Sequence, residues 1–314
     1  MSLRDTHIPH TTCPDLLGAP TAKTIELTVY HDERRWEHWL YHGFTLVERC
    51  KAEELSAVAL SLRQHSKWWK AVHFWKLKGS SNGSPRTQLA VAWAKALDHQ
   101  LLPLMRFFLL GIDESIVDHT FFDDGTGSRA EISTRVYNKF FEIGLFTALR
   151  WFHCQEDKVV VEEVVAEERG LHDHDRFRQY VPYRINHRES NVIVNRAEVK
   201  MLPGKADQRE PLNLDLECLQ MTDVFVGGFC QVLDAPNRKP GCTEVGMALL
   251  PRVKKLNKSP FNKNSCAWKR LAMRFFPTAP PQKGLVDVKA ASGFMYERRP
   301  LKMTNDPRQM TLFR

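Results

Sequence analysis

The chain alternates short β-branched or aromatic runs with segments of helical periodicity, and this alternation constrains the fold more than any other feature. Runs typical of strands occur at residues 24–30 (TIELTVY), 41–48 (YHGFTLVE), 106–112 (RFFLLGI) and 158–166 (KVVVEEVVA). Between them, apolar residues recur at helical spacing, as in 51–64. Such alternation predicts an α/β domain in which helices flank a sheet, and it argues against a helical bundle or a β-sandwich.

Shorter patterns refine this prediction. The charged residues 31–35 separate the first two runs, so we expect a hairpin with acidic groups in its turn. Ser128 is a candidate N-cap for a long helix at 129–153. The remaining expected elements are a helix at 86–102, a strand at 71–77 (AVHFWKL), a helix near 173–180, one or two strands within 191–201, and an apolar helix at 214–226 that closes at Gly227 and Gly228.

The net charge of +8 is unevenly distributed along the chain. Residues 236–314 contain 17 Lys and Arg against 4 Asp and Glu, whereas residues 1–235 contain 28 against 33. The C-terminal part also holds 9 of the 17 prolines. These shifts predict an N-terminal leader at 1–23, an α/β domain at 24–235 and a basic, Pro-rich extension at 236–314. A segment with this excess of positive charge is expected to contact a polyanion such as nucleic acid.

Bulk features argue against several classes of protein. No window approaches the roughly 18 continuous apolar residues of a membrane span, so we expect no membrane association. The N-terminal residues lack the apolar stretch of a secretory signal, which favours a cytoplasmic protein. The seven cysteines are scattered without a CxxC pair, so neither a zinc knuckle nor a disulfide framework is indicated.

Acidic residues stand where predicted strands end or inside an apolar helix. They are Asp32 and Glu33 after the first run, Glu167 and Glu168 after the run at 158–166, and Asp223 within the helix at 214–226. A carboxylate in an apolar helix needs a partner, because burying it unpaired is costly. Carboxylates at strand ends suit Mg²⁺ or Mn²⁺, which prefer oxygen ligands. Spacing alone leaves solvated turns and a metal site both open.

Four segments, in this order, resemble a known family. Residues 29–47 (VYHDERRWEHWLYHGFTLV) place Asp32-Glu33 where that family has an Asp-Glu-Ser-Gly turn between two strands. A His-containing segment around His73 follows, and then a long helix precedes VVVEEVVAEERG. Residues 219–229 (LQMTDVFVGGF) match a Leu-Gln-x-x-Asp helix with small residues after it. Over about residues 24–234 the chain thus resembles a bacterial and phage family with an RNase H-like fold, catalogued as domain of unknown function 3800.

The resemblance implies an RNase H-like mixed sheet flanked by helices and a nuclease-like site with two metal ions. The implied ligands of Mg²⁺ or Mn²⁺ are Asp32, Glu167 and Asp223, with Glu33 or Glu168 assisting. Glu163 and Glu168 are alternatives to Glu167 as the third ligand. His73 is interpreted either as a proton shuttle near the metals or as a hydrogen-bonded strand histidine.

Arg34 and Arg35 stand where the family has Ser-Gly. They either contact a phosphate beside the metals or neutralise the acids of an inactive site. The other candidate nucleic-acid contacts lie in the basic extension and are Lys254, Lys255, Lys269, Arg270 and Arg274. The segment at 268–276 is expected to form a short basic amphipathic helix.

Two further motifs carry open interpretations. His172 and His174 are either a metal-binding pair or solvated residues before a helix. The aromatic and basic residues at 67–70 (KWWK) either stack on bases or pack in the core.

The first functional hypothesis is therefore a nuclease, a hydrolase that cleaves phosphodiester bonds with Mg²⁺ or Mn²⁺. The alternative is a non-catalytic nucleic-acid- or partner-binding protein on a degenerate nuclease scaffold. A third hypothesis is a structural subunit of a phage-defence or mobile-element assembly. A homo-oligomer and a complex with a partner protein both stay open.

Overall fold

The protein is described here by a computed structural model. The residues that the structure describes are 23–77, 84–122, 125, 128–156, 158–168, 177–188, 191–203, 206–209, 211–234, 239–259 and 265–276. Most of the predicted leader, the His172 and His174 motif and residues 277–314 lie outside these ranges. Within them, no helix is long and apolar enough to cross a membrane.

Seven strands form one mixed sheet, which confirms the predicted α/β class. The strands are β1 (Thr24–Trp36), β2 (Trp39–Glu48), β3 (Met105–Asp113), β4 (Lys158–Glu167), β5 (Val192–Val194), β6 (Lys200–Leu202) and β7 (Leu271–Phe276). Their order is β5-β4-β1-β2-β3-β7, and β6 also pairs with β4. The β1–β2 and β2–β3 pairs are antiparallel, whereas β4 is parallel to β1 and β7 is parallel to β3.

Helices cover both faces of this sheet. They are α1 (Ala52–Ser66), α2 (Pro85–Ala96), α3 (Arg129–His153), α4 (Phe177–Asn186), α5 (Leu214–Asp234) and α6 (Pro240–Lys258). Gly43 of β2 contacts Val226 of α5, and the next residue, Phe44, contacts Gly144 of α3. Because successive strand residues point to opposite sides, α5 and α3 lie on opposite faces. We call these the α5 face, which also carries α1, α2 and α6, and the α3 face, which also carries α4.

The long helix α3 begins where the sequence predicts. Ser128 Oγ accepts a hydrogen bond from the Glu131 amide, and the Glu131 carboxylate accepts one from the Ser128 amide. This reciprocal capping box satisfies two amides that a helix N-terminus would otherwise leave unpaired. The strand predicted at 158–166 is likewise confirmed as β4.

The hairpin is confirmed, but the prediction that residues 31–35 form its turn is wrong. β1 continues through Trp36, with Asp32 opposite Gly43 and Glu33 opposite His42. The chain reverses at Glu37, which has a left-handed φ of 53°, and His38. β2 pairs with β1 from Leu27 to Trp36, so the backbone hydrogen bonds of residues 31–35 are made in the sheet.

Two predictions on the α5 face are also wrong. Residues 71–77 do not form a strand, because the Val72 and Phe74 amides donate to the side chains of Gln220 and Asp223 instead of a neighbouring strand. Helix α5 does not close at the glycines but continues to Asp234. A Cβ at Gly227 would meet Phe74 Cγ at 2.2 Å, so glycine here allows the 71–77 segment to pack directly on the helix.

Helix α5 is joined to its neighbours by buried polar groups. Near its start, the Tyr30 hydroxyl of β1 donates to Asp215 at 2.8 Å, and near its end the Tyr41 hydroxyl of β2 donates to Asp234. Arg63 of α1 donates to Glu217 of α5 at 2.6 Å, and both side chains are completely buried. These contacts fix α5 across β1 and β2.

The described part of the basic extension packs on the same sheet. Helix α6 lies against α5 and α2, and β7 adds to the edge of the sheet beside β3. The amphipathic helix expected at 268–276 is not formed: residues 271–276 are β7, and all six are buried. Their mostly apolar side chains complete the sheet at this edge.

Candidate functional site

Asp32 lies on the α5 face of β1. Tyr30, two residues earlier, reaches Asp215 of α5, and the Arg34 guanidinium, two residues later, lies 4.8 Å from the Phe74 ring centroid. Strand alternation therefore turns Asp32 to the same side. The Asp32 residue is 3% exposed, and its Oδ1 accepts the Glu33 amide at 2.8 Å.

Glu167 of β4 lies beside Asp32. The parallel register pairs Tyr30 with Val165 and His31 with Ala166, and one further residue places Glu167 next to Asp32. Neighbouring residues of parallel strands point to the same face, about 4.8 Å apart along the hydrogen-bonding direction. Glu167 and Asp32 thus share the α5 face at the carboxyl end of β4.

The other acids of β4 are placed differently. Glu163 forms ion pairs with Lys200 at 2.9 Å and with Arg196 at 3.2 Å. It lies opposite Thr28, four residues before Asp32, which is about 13 Å along the strand. Glu168 is exposed just beyond β4, and its amide donates to Leu202 of β6. Of the three acids considered for the third ligand, Glu167 is the one placed beside Asp32.

Asp223 lies on α5, the helix that covers this face. Asp32 lies opposite Gly43, and the Cβ position of Gly43 meets Val226, which is three residues after Asp223 on the helix. Asp223 Oδ2 accepts the Phe74 amide at 3.0 Å. Asp223 thus has a structural role that the sequence pattern does not reveal, because it holds the 71–77 segment against α5.

His73 is nearly buried beside Asp223. Its Nδ1 lies 3.6 Å from Asp223 Oδ2, a distance beyond a normal hydrogen bond, so the pair is loosely associated. Among the described residues, His73 Nε2 has no hydrogen-bond partner although it is buried. The interpretation of His73 as a strand histidine is wrong, and its role near metal ions stays a prediction.

Glu33 points away from Asp32, to the α3 face. The Tyr137 hydroxyl of α3 donates to Glu33 Oε2 at 3.1 Å, and His31 Nδ1 lies 3.9 Å from the same oxygen. The sequence analysis paired Asp32 and Glu33 in one turn. Because both belong to β1, alternation separates them, so Glu33 cannot assist a site built around Asp32.

The α3 face also contains a histidine pair that the sequence analysis missed. His31 Nε2 and His42 Nδ1 are 2.9 Å apart, and both rings pack against Phe141. Burial, with a smaller effect of Arg35, lowers the pKa of His42 to about 3, so this ring is neutral at pH 7. The signal that would have revealed the pair is the hairpin register, which makes residues 31 and 42 diagonal neighbours.

The two arginines at 34 and 35 also divide between the faces. Arg34 lies over Phe74 and so shares the α5 face with Asp32. Arg35 lies on the α3 side, where it donates to Glu114 at 3.0 Å and to Ser133 at 3.2 Å. Only Arg34 is therefore placed to contact a phosphate near Asp32 or to neutralise that acid.

The basic residues predicted to contact nucleic acid are also separated. Lys254 and Lys255 are exposed on α6, and Lys269 and Arg270 are exposed just before β7. β7 lies three strands from β1, which is about 14 Å sideways. The prediction for Arg274 is wrong: the residue is 2% exposed, and its guanidinium lies 4.2 Å from the Trp151 ring centroid, inside the protein.

The residue types around Asp32 suit a divalent cation, but too few of them lie close together to form a complete binding group. Asp32 and Glu167 supply the carboxylate oxygens that Mg²⁺ and Mn²⁺ prefer. Within the described ranges, however, no three or more His, Cys, Asp or Glu side chains are grouped so that they could hold a metal ion. Asp223 shares a face with the pair but is engaged by the Phe74 amide.

Comparisons with known proteins add no assignment. No protein-family model matches the chain, and searches of curated proteins and of solved structures found no match.

Proposed function

We propose that the protein is a divalent-metal-dependent nuclease with an RNase H-like fold. What supports this proposal is that the register of the parallel strands β1 and β4 brings Asp32 and Glu167 side by side on the α5 face. Two neighbouring carboxylates are suited to bind a cation that in turn binds phosphate.

The order of the elements supports the same proposal. A hairpin strand carries Asp32, a long helix precedes the strand that ends at Glu167, and α5 carries the Leu-Gln-x-x-Asp segment. This is the order that the resemblance to domain of unknown function 3800 implies.

Each residue then has a defined task. When bound, Mg²⁺ or Mn²⁺ supplies positive charge at the phosphate and an acidified water. Asp32 and Glu167 would hold the cation, and Arg34 would stabilise charge on a phosphate oxygen. Asp223 is placed to orient the His73 ring through Nδ1. The loose His73–Asp223 pair is expected to tighten with substrate bound.

The test is cleavage of single- and double-stranded DNA and RNA with Mg²⁺, with Mn²⁺ and with EDTA. We expect cleavage only with a divalent cation and none by Asp32→Asn. Glu33→Gln is the matched control, because it changes the adjacent carboxylate of the same strand on the opposite face. Cleavage in EDTA, or full activity of Asp32→Asn, would contradict the proposal.

A second candidate is a non-catalytic nucleic-acid- or partner-binding protein on a degenerate nuclease scaffold. The observation that favours it is Arg34, a cation on the same face as Asp32 where the family has a small residue. Salt-sensitive binding without cleavage, together with no Mn²⁺ binding by calorimetry, selects this candidate. A third candidate role is that of a subunit in a phage-defence or mobile-element assembly. Measurement of the molecular mass at several protein concentrations tests whether the chain forms a homo-oligomer.

A further inference from the structure

Helix α4 and the adjoining part of α3 carry exposed aromatic rings among arginines. Tyr180 is 41% exposed and Tyr183 is 57% exposed, although both are large rings. Residues 177–188 contain three arginines and no acidic residue. We define the aromatic–arginine surface as Phe146 and Arg150 of α3 with Tyr180, Tyr183, Arg184 and Arg188 on and just after α4.

Arginine guanidinium groups lie beside two of the rings of this surface, and the Tyr183 ring lies 4.0 Å from the His187 ring. Arg184 lies 5.8 Å from the Tyr180 ring centroid. Arg188 and Arg150 lie 4.7 Å and 5.8 Å from the Phe146 ring centroid. The packed rings limit the freedom of the arginine side chains, so less entropy is lost when these side chains bind a ligand.

A carboxylate lies beneath the arginines of this surface. Glu142 of α3 is completely buried, and Lys139, Arg188 and Arg184 lie 3.1, 3.6 and 3.8 Å from its oxygens. Three cations around one carboxylate leave net positive charge. The carboxylate positions the arginines from below, while their exposed parts face solvent.

We propose that the aromatic–arginine surface binds single-stranded nucleic acid. Exposed rings offer stacking platforms for unpaired bases, and the interleaved arginines bind the phosphates between them. In a duplex the bases are already stacked on one another, so it would use the arginines but not the rings. An acidic peptide would gain from the charge but has no bases to stack on Tyr180 and Tyr183.

The position of α4 connects this surface with the carboxylates. The Val199 amide donates to the Arg178 carbonyl, and the next residue, Lys200, pairs with Val165 of β4. The start of α4 therefore lies near the carboxyl end of β4, where Glu167 is located. This inference rests on the proposed function in one respect, since it names single strands as the substrate form. The strand would cross that end of β4 to pass from the α3 face to the α5 face.

Binding is measured with the full chain in EDTA, by fluorescence anisotropy with a labelled oligo(dT) of about 20 nucleotides and with the matching oligo(U). Tyr183→Ala is expected to weaken binding about tenfold, whereas Tyr183→Phe keeps the ring and should bind like the unchanged protein. Arg184→Gln should lower affinity and reduce the salt dependence by about one unit of slope.

Two controls make the result specific. Met247→Ala removes a side chain that is 39% exposed on α6, and Lys95→Gln removes an exposed cation of α2; both should leave binding unchanged. The inference is overturned if Tyr183→Ala binds as tightly as the unchanged protein, or if a duplex or an acidic peptide binds as tightly as the single strand.

Failure of this inference is distinguishable from failure of the proposed function. If Tyr183→Ala weakens binding in EDTA but no cation supports cleavage, the surface stands and the nuclease proposal fails. If the protein cleaves with Mn²⁺ while Tyr183→Ala cleaves and binds normally, the nuclease proposal stands and this surface fails.

Discussion

Polar side chains on the two faces of the sheet have different kinds of bonding partners. On the α5 face, the polar side chains are mostly charged, and cations or backbone amides hold them, as Lys200 holds Glu163 and the Phe74 amide holds Asp223. On the α3 face, His31 and His42 bond to each other among aromatic rings. One strand, β1, contributes to both faces through alternate residues. Residues that are adjacent along β1 therefore need not share a function, because the face to which each side chain points determines its bonding partners.

The largest expected effect is a loss of stability when a charged contact of the α5 face is broken. Arg63→Met leaves Glu217 buried without its cation, so the free energy of unfolding should fall by about 3–5 kcal/mol. Urea denaturation followed by circular dichroism measures this change. The double variant Arg63→Met/Glu217→Leu removes both charges and should recover part of the loss. If it is less stable than the single variant, an uncompensated charge is not the cause.

The next effect compares two acids of β4 on the α5 face. Glu167→Gln should reduce cleavage by at least about 100-fold, because it removes the carboxylate placed beside Asp32. Glu163→Gln changes a carboxylate that Lys200 and Arg196 already neutralise, and activity should stay within about twofold. Steady-state rates with Mn²⁺ measure both. Equal losses in the two variants would show that position beside Asp32 does not matter.

The stability that His42 contributes on the α3 face should fall at acidic pH. The pKa of His42 is lowered to about 3, below its usual value, so the unfolded chain binds a proton more readily than the folded protein. Its contribution to stability is complete above about pH 6.5 and is lost as the pH falls toward 3. From pH 7 to pH 5 this amounts to about 2 kcal/mol. Urea titrations at both pH values measure the loss.

The control for the acid prediction is His42→Phe, which should lose about 2 kcal/mol less than the unchanged protein over the same interval. Part of the loss should persist in that variant, because burial also lowers the pKa of His153 to about 4. An identical pH dependence in both proteins would argue that His42 is not held neutral by burial.

The smallest effect concerns Arg34, the cation on the α5 face. Arg34→Gln should raise KM for the nucleic acid about five- to tenfold with little change in kcat, as expected for a lost phosphate contact. Arg35→Gln is the control, because Arg35 lies on the other face with Glu114. An increase in activity of Arg34→Gln would instead indicate that Arg34 neutralises the acids, as in a degenerate site.

Features with strong local signals were predictable from the sequence. The capping box at Ser128 and the β-branched run of β4 depend on residues close in sequence, and both are present. For the candidate site, Asp32 and Glu167 were identified from the sequence and stay a prediction as metal ligands, but the side to which Glu33 points depends on how far β1 continues. The polar pattern at 31–35 concealed that length, since charged strand residues look like a turn when their contacts are unknown.

The remaining differences arise from contacts between distant segments. Gly227 lies where Phe74 packs closely on α5 and does not end the helix. The contact that requires a small side chain comes from another segment of the chain. Residues 71–77 have strand-like composition, yet side chains of α5 bind their amides. The burial of Arg274 in β7 could not be predicted for the same reason, because a count of charged residues does not reveal its cation–π contact with Trp151.

The two tyrosine–aspartate bonds of α5 have a consequence for ligand binding. Asp215 and Asp234 lie 19 residues apart, which is about 28 Å along a helix, and they bond to different strands. A slide of the helix by one turn, or a rotation about its axis, would break both bonds at once. Asp223, between them, is therefore placed relative to β1 when the protein folds. A ligand reaching Asp32 would meet a preorganised partner, and α5 should occupy the same position in the free and the bound protein.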